Sequence, residues 1–305
     1  MKSKRLFALA LALFLALSLA ACNLKPAAPW PEALKPVEGL VRGSGSVVDM
    51  RTPLSADGRG FALRVGGFSF RGSGKTELSL VIDESLEREI VLTADDNVAE
   101  RIRVQYDASA GKITVEPDGR VAFAPTKLAI AVGAPVRELA VEGLWKISYD
   151  CPSVTECKLA VDGTANGDFI FGELDSLDMR FGGLSEIEVR CAGVKQCKLE
   201  ADGTLNGKLA LGEMDSLDMQ LSGLSTLTVS GAAQRAVLSL GGGGVISAFG
   251  LTAQDADITM GGLGRCEITA ERSLNAVIEG GGSIVYAGSP AVTKRIDGLG
   301  IVRAR

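Results

Sequence analysis

The residues of this chain with chemical options are six cysteines, a recurring set of aspartates and one glycine-lysine-threonine run. Cys151 and Cys157 recur forty residues later as Cys191 and Cys197, while Cys22 and Cys266 stand apart. A close thiol pair offers a disulfide or part of a thiolate metal site. Asp175 and Asp178 recur as Asp215 and Asp218. Stacked carboxylates offer a Ca²⁺ site, or the acid and base of a polysaccharide-cleaving enzyme. Gly72-Ser73-Gly74-Lys75-Thr76 resembles the end of a phosphate loop. The full motif needs glycine where Ser69 stands, and no long helix follows, so the run reads as a turn. The 305 residues contain no histidine. That removes histidine triads, histidine general bases and histidine-ligated metals together.

The first residues give an address. Lys2, Lys4 and Arg5 precede an uncharged apolar run from Leu6 to Leu17, which closes on Leu19-Ala20-Ala21-Cys22. A basic start, a short apolar run and a small-residue end define a secretory signal. The run is short for a membrane span, and no stop-transfer pattern follows it. The closing residues resemble a bacterial lipobox, in which the cysteine is lipidated and the leader is cut before it. An ordinary signal peptide with a coincidental cysteine is the alternative. The expected division is a signal peptide over 1–21, then lipidated Cys22 and a tether over 22–42 stiffened by Pro26, Pro29, Pro31 and Pro36. Several acyl chains anchor stably, so the membrane is one expected partner. Asn23 gives no aspartate retention cue, which favours the outer membrane of a bacterial envelope, facing the periplasm or the surface. Formal net charge is −5, and losing three cations with the leader takes it to −8. No stretch concentrates Lys and Arg, so nucleic acid is not an expected partner.

A repeat must position the cysteines and aspartates. Cys151 to Arg190 aligns with Cys191 to Ser230 without a gap, at about half identical positions. Glycines at 143, 163, 183, 203, 223, 242, 262, 281 and 298 halve that period to about 20 residues. Short alternating strands lie between them, such as Ile187/Val189, Leu227/Val229 and Leu177/Met179, with one face in and one face out. Two short strands and two turns fill one coil of a flattened, two-sheet parallel β-helix, with coils about 4.8 Å apart. Glycine would supply the positive φ of each tight turn. Asn166-Gly167, Asn206-Gly207, Asp162-Gly163 and Asp202-Gly203 keep an antiparallel meander open as the alternative. Residues 133–305 are therefore expected to be β-helix repeats. Residues 43–132 form an irregular N-terminal β region, with strands at 78–82, 89–93, 101–106 and 112–116, that caps the open end.

On this frame strand parity turns all four repeated cysteines inward, each pair flanking one corner. Local bridges, Cys151 to Cys157 and Cys191 to Cys197, are expected. Bridges between the copies would span two coils, about 9.6 Å, beyond disulfide reach. A four-thiolate metal site lacks the close knuckle spacing, so no metal or other cofactor is expected. Cys266 reads as a buried free thiol. Asn166 and Asn206 are expected to brace turns.

The glycine-rich coils, closed by Ser283-Ile284-Val285-Tyr286-Ala287-Gly288-Ser289-Pro290 and Gly298-Leu299-Gly300, resemble the head GIN domain family, as does the opening Gly43-Ser44-Gly45-Ser46-Val47. The resemblance runs from Gly43 to Arg305. The family's Gly-Ser-Gly-Asp turns are replaced here by Gly-Gly-Leu-Ser, Gly-Gly-Gly-Gly and Gly-Gly-Leu-Gly. It implies an all-β, right-handed parallel β-helix, shaped like pectin lyases without their catalytic residues, and an adhesive surface role. The reading is thus a non-enzymatic, lipid-anchored envelope protein whose head binds protein or carbohydrate. A structural or envelope-stress lipoprotein without adhesive ligand, and a polysaccharide-active enzyme, are the alternatives.

Overall fold

The computed structural model describes residues 39–55, 60–71 and 77–305. The signal segment, Cys22, the tether before Gly39 and the Gly72–Thr76 run lie outside the described residues. Gly39–Arg305 forms one compact unit. It is a β-solenoid of about eight turns, preceded by an irregular β region. No helix among the described residues is long and apolar enough to cross a membrane.

In the N-terminal region the strands are β1 (Leu40–Arg42), β2 (Val47–Pro53), β3 (Phe61–Val65), β4 (Ser69–Phe70), β5 (Glu77–Asp83), β6 (Glu89–Asp95), β7 (Ile102–Asp107), β8 (Lys112–Pro117), β9 (Ala122–Ala124) and β10 (Lys127–Val132). A four-residue helix, α1 (Asp96–Ala99), follows β6. The stack then runs through β11 (Val136–Cys151), β12 (Glu156–Ala201), β13 (Thr204–Leu221), β14 (Ser225–Leu240), β15 (Val245–Met260), β16 (Arg265–Ile278), β17 (Ser283–Ala287), β18 (Ala291–Ile296) and β19 (Ile301–Ala304). Consecutive stack strands pair in parallel, about 20 residues apart. Leu139 lies on Leu159, Leu199 on Met219 and Leu238 on Ile258. β12 is 46 residues long because one strand bends around the corners and meets itself a coil later.

This register settles the meander alternative. Asn166-Gly167 and Asn206-Gly207 sit within parallel strands, opposite Lys146-Ile147 and Glu186-Ile187, rather than in hairpins. Their glycines face inward for lack of space. A Cβ at Gly167 would strike the Phe169 ring, and one at Gly207 the carbonyl oxygen of Ile187. Asn166 and Asn206 therefore brace no turn; they stand on the outer face.

The corner glycines also need a different reason from the one expected. Gly143, Gly163 and Gly183 have positive φ, but Gly203, Gly223, Gly242, Gly262 and Gly298 do not. What all but the first share is proximity. A Cβ at Gly163, and at each later position, would fall against the carbonyl oxygen of the glycine one coil back. The ladder continues through Gly280 rather than Gly281. Glycine is thus required because coils close to β-ladder spacing at this corner leave no room for a side chain.

The N-terminal region extends the stack out of sequence order. β3 and β5 both pair in parallel with β11, and β8 and β10 pair in parallel with β3 and β5. Antiparallel β7 and β6 then close those edges, with β2 outside β6. The four strands expected at 78–82, 89–93, 101–106 and 112–116 are β5, β6, β7 and β8. Aromatic side chains gather at this junction. Phe68 and Phe70 stack, and both meet the Trp145 indole edge-on. Beyond Phe181 the inward ladders are Leu, Val, Ile, Met and Ala, with Cys197 and Cys266 among them.

Candidate binding surface

A parallel stack repeats each residue position as a column, so its chemistry is read column by column. Inside the first coils lies a sulfur-rich core. Cys151, Cys157 and Cys197 are buried, and Cys191 is partly buried against the same core. Cys151 aligns with Phe171 on the next coil. The Tyr149 hydroxyl lies 3.5 Å from Cys157 Sγ and donates to the Val136 carbonyl. Burial pushes the Cys151 thiol up to about 11 and the Cys157, Cys191 and Cys266 thiols up to about 12. Thiols held protonated in this way are poor nucleophiles and poor ligands. All five described cysteines are unbonded thiols here, so neither expected bridge is formed in this structure. Cys266 takes the expected core position, fully buried between Ile246 and Ile284.

The repeated aspartates stand outside, and lysines separate them. Lys195 Nζ lies 2.5 Å from Asp175, and the charge of Asp215 also acts on it. Lys198 aligns with Asp218 and feels Asp178 from the other side. Lys198 and Arg180 both reach Glu200, at 2.6 and 2.7 Å, and hold its carboxyl below the usual range. The forty-residue repeat carries acids on one coil and bases on the next. The aspartates therefore sit two coils apart with a cation between, which is the opposite of a shared cation site or a converging acid pair.

The second outer face carries the other functional candidates. One column reads Lys146, Asn166, Glu186, Asn206 and Thr226. The next includes Asp168, Glu188, Lys208 and Thr228. A shallow hollow of about 650 Å³ lies over them. Arg190 occupies both nearby carboxylates, at 2.9 Å from Asp168 and 2.7 Å from Glu188. Those charges brace the face, and the two amides and one hydroxyl of the first column stand on its exposed side.

At the corner beside this face is a feature the sequence reading missed. Leu144, Leu184, Leu224, Leu263 and Leu299 are exposed, from 51% at Leu144 to 93% at Leu299. Each directly follows a glycine of the ladder. A hollow of about 750 Å³ opens between Leu144 and Leu184 over Thr164 and Ala165, with Lys146, Glu186 and Asn206 on its polar side. The recurrent Gly-Leu pairs were the available signal. Leucine reads as core by default, and only the register shows that the residue after the corner glycine points out.

Comparison with known proteins follows from this geometry. The family model described as "Putative auto-transporter adhesin, head GIN domain" matches residues 73–290. A crystal structure of a "putative adhesin" from Parabacteroides merdae shares 20% identity at a TM-score of 0.55, covering 87% of this chain and 99% of that one. Another "putative adhesin", from Parabacteroides distasonis, shares 18% identity at a TM-score of 0.56, covering 87% and 100%. A "Putative lipid binding protein" from the same species shares 18% identity at 0.51, covering 87% and 99%. No curated protein sequence matches the chain.

Proposed function

The chain belongs to the head GIN domain family, and from that premise we propose that it is a non-enzymatic envelope protein that uses its polar solenoid face to bind protein or carbohydrate. The observation that carries this reading is the column of Lys146, Asn166, Glu186, Asn206 and Thr226. It presents amides, a hydroxyl and both charges along one shallow face. Such a face suits weak contacts repeated along an extended ligand, since each coil offers a similar set of donors and acceptors. The separation of Asp175 from Asp215 and of Asp178 from Asp218 by lysines speaks against a hydrolase. An acid and base must face a common bond. The sequence supports export and lipid attachment at Cys22, through the basic start, the apolar run and the small residues before the cysteine. On this reading the proline-rich segment carries the head away from an outer membrane. The oxidising envelope would then allow the two local bridges, Cys151–Cys157 and Cys191–Cys197.

The test is binding by intact cells that export the full chain, on immobilised glycans and envelope proteins, beside a turnover assay on acidic polysaccharides. The double variant Asn166→Lys, Asn206→Lys is expected to weaken binding about tenfold or more, with melting unchanged. Turnover abolished by Asp175→Asn would overturn the reading, as would full binding by the double variant. Retention of the protein in the membrane fraction by Cys22→Ser would remove the lipid anchor from it.

A further inference from the structure

The exposed leucine edge is self-complementary, and we propose that it pairs two copies of this chain side by side in antiparallel orientation. The proposal does not rest on the ligand-binding role given to the neighbouring column, which this pairing would partly cover. Leucine recurs at the corner on every second coil, at about 9.6 Å intervals. On the coils between stand Thr164, Thr204, Gly243 and Gly281, which present little or nothing. Gly243 leaves the notch open: an added Cβ would lie 3.3 Å from the exposed Leu224 side chain. The edge is therefore a row of knobs and notches with a two-coil period. Two such rows interlock only when one is displaced by a single coil. An in-plane two-fold axis between Leu184 and Thr204 does this in a closed, symmetric way. It sets Leu184 over the partner's Thr204, and Leu224 over the partner's Thr164, inside the hollow of about 750 Å³.

The flanking columns agree with that axis. On one side it sets Glu186 opposite Asn206, and Asn166 opposite Thr226. On the other it sets Asp162 opposite Ser222, and Asp202 opposite Gly182. Each carboxylate meets a donor or a glycine, and no like charges face. An axis through the Leu184 coil would instead set leucine on leucine and Glu186 on Glu186. One through the Thr204 coil would set Asp202 on Asp202. Shape therefore excludes an axis through a coil, and charge is compatible with this one.

The area sets the strength. Six overlapping coils span about 29 Å at ladder spacing. With a contact about 15 Å wide, each copy buries on the order of 400 Å². That is below the roughly 800 Å² per partner of a standard stable interface, so the pair is weak when free and favoured when copies are concentrated on one surface.

Sedimentation of the purified full chain across a concentration series tests this. The expected result is a reversible monomer–dimer equilibrium. Leu184→Glu, at an exposed position, should weaken it at least tenfold. Thr164→Leu, which fills the notch that takes Leu224, should do the same. Leu299→Glu, beyond the six-coil overlap, should leave it unchanged. A monomer at every concentration up to about 1 mM would overturn the proposal, that being the Kd of a −4 kcal/mol contact. So would a dimer that survives both Leu184→Glu and Thr164→Leu. A monomer that instead binds lipid vesicles through Leu184 would overturn it in favour of a membrane contact.

Discussion

The N-terminal region and the stack are built from the same parallel pairing, yet they are specified in opposite ways. Between Gly39 and Val132 the chain order does not follow the spatial order. A few hydrogen-bonded side chains hold segments that are far apart in sequence. Buried Asp95 is the clearest. Its carboxylate accepts from the Gly45 N–H at 2.8 Å, the Thr126 N–H at 2.7 Å and the Thr126 hydroxyl at 2.5 Å, tying the ends of β6, β1 and β9 together. From Val136 onward no single polar node does this. Position is fixed by nearly constant spacing repeated coil after coil, with apolar ladders inside and the glycine ladder at one corner. A unique region fails at its nodes. A repeated region fails wherever the spacing is violated.

Glycine substitutions test this difference and carry the largest expected effect. A Cβ at Gly203 would strike the Gly183 carbonyl, whereas one at Gly119, in the N-terminal region, would meet nothing within 4 Å. Gly119 needs only its φ of +89°. Gly203→Val should therefore destabilise by about 4 kcal/mol or more, because the ladder backbone has nowhere to move. Gly119→Ala should lose only about 1 kcal/mol. Urea unfolding midpoints check both. Equal losses at the two sites would erase the distinction.

Next in size is the Asp95 node. Asp95→Ala leaves the Gly45 and Thr126 N–H groups without their acceptor and should lower stability by about 3 kcal/mol. Burial opposes ionisation of this carboxyl. The hydrogen bonds from Thr126, Gly45 and Lys127 outweigh burial and hold its pKa below the usual value of 3.8. A carboxyl with a lowered folded-state pKa contributes its stability above the unfolded pKa and loses it as pH falls through the folded one. The wild-type melting temperature should thus drop below about pH 4. Asp95→Asn should flatten that acid limb. An acid limb unchanged in the variant would mean that other carboxylates hold the region.

The cysteine core separates packing from cross-linking inside the stack. If the proposed bridges form after export, each closes a short loop and contributes about 2 kcal/mol, so reductant should lower the melting temperature. The Cys151→Ala, Cys157→Ala variant should then lose its response at that corner. Peptide mapping without reductant is the direct measurement. A Cys151–Cys191 link would contradict the coil spacing, since Phe171 lies on the coil between.

Much of this was legible in the sequence, for physical reasons that can be named. The forty-residue repeat and the twenty-residue glycine period give the coil directly. Strand parity turned Cys151, Cys157, Cys191 and Cys197 inward; three of them are buried, while Cys191 at its corner is only partly so. Four N-terminal strands, β5 to β8, could be found one by one, but not the other six or the order of the ten, because β3 with β8 and β5 with β10 are joined by long-range pairing that no local pattern reports. Asn166-Gly167 misled because that dipeptide favours hairpins, while here the Phe169 ring needs the glycine's empty space. The leucine edge was hidden for the converse reason, since residue type suggests burial and only register reveals exposure.

The smallest effect falls on the charged columns, and its size is itself informative. Lys198 lies between Asp178 and Asp218 and bonds Glu200 at 2.6 Å, all on the solvent side. If these ladders held the stack together, Lys198→Ala would be as harmful as a change in the core. If spacing and apolar burial hold it, the loss should be slight, because exposed pairs are well solvated. Charge reversal sharpens the test. Lys198→Glu places like charges on three consecutive coils and should lower the melting temperature at low ionic strength. Most of that loss should be recovered near 1 M salt, where screening reaches about 3 Å. A loss that persists at high salt would show that Lys198 acts through its packed alkyl stem, and that the columns outside the stack contribute to coil register as the ladders inside do.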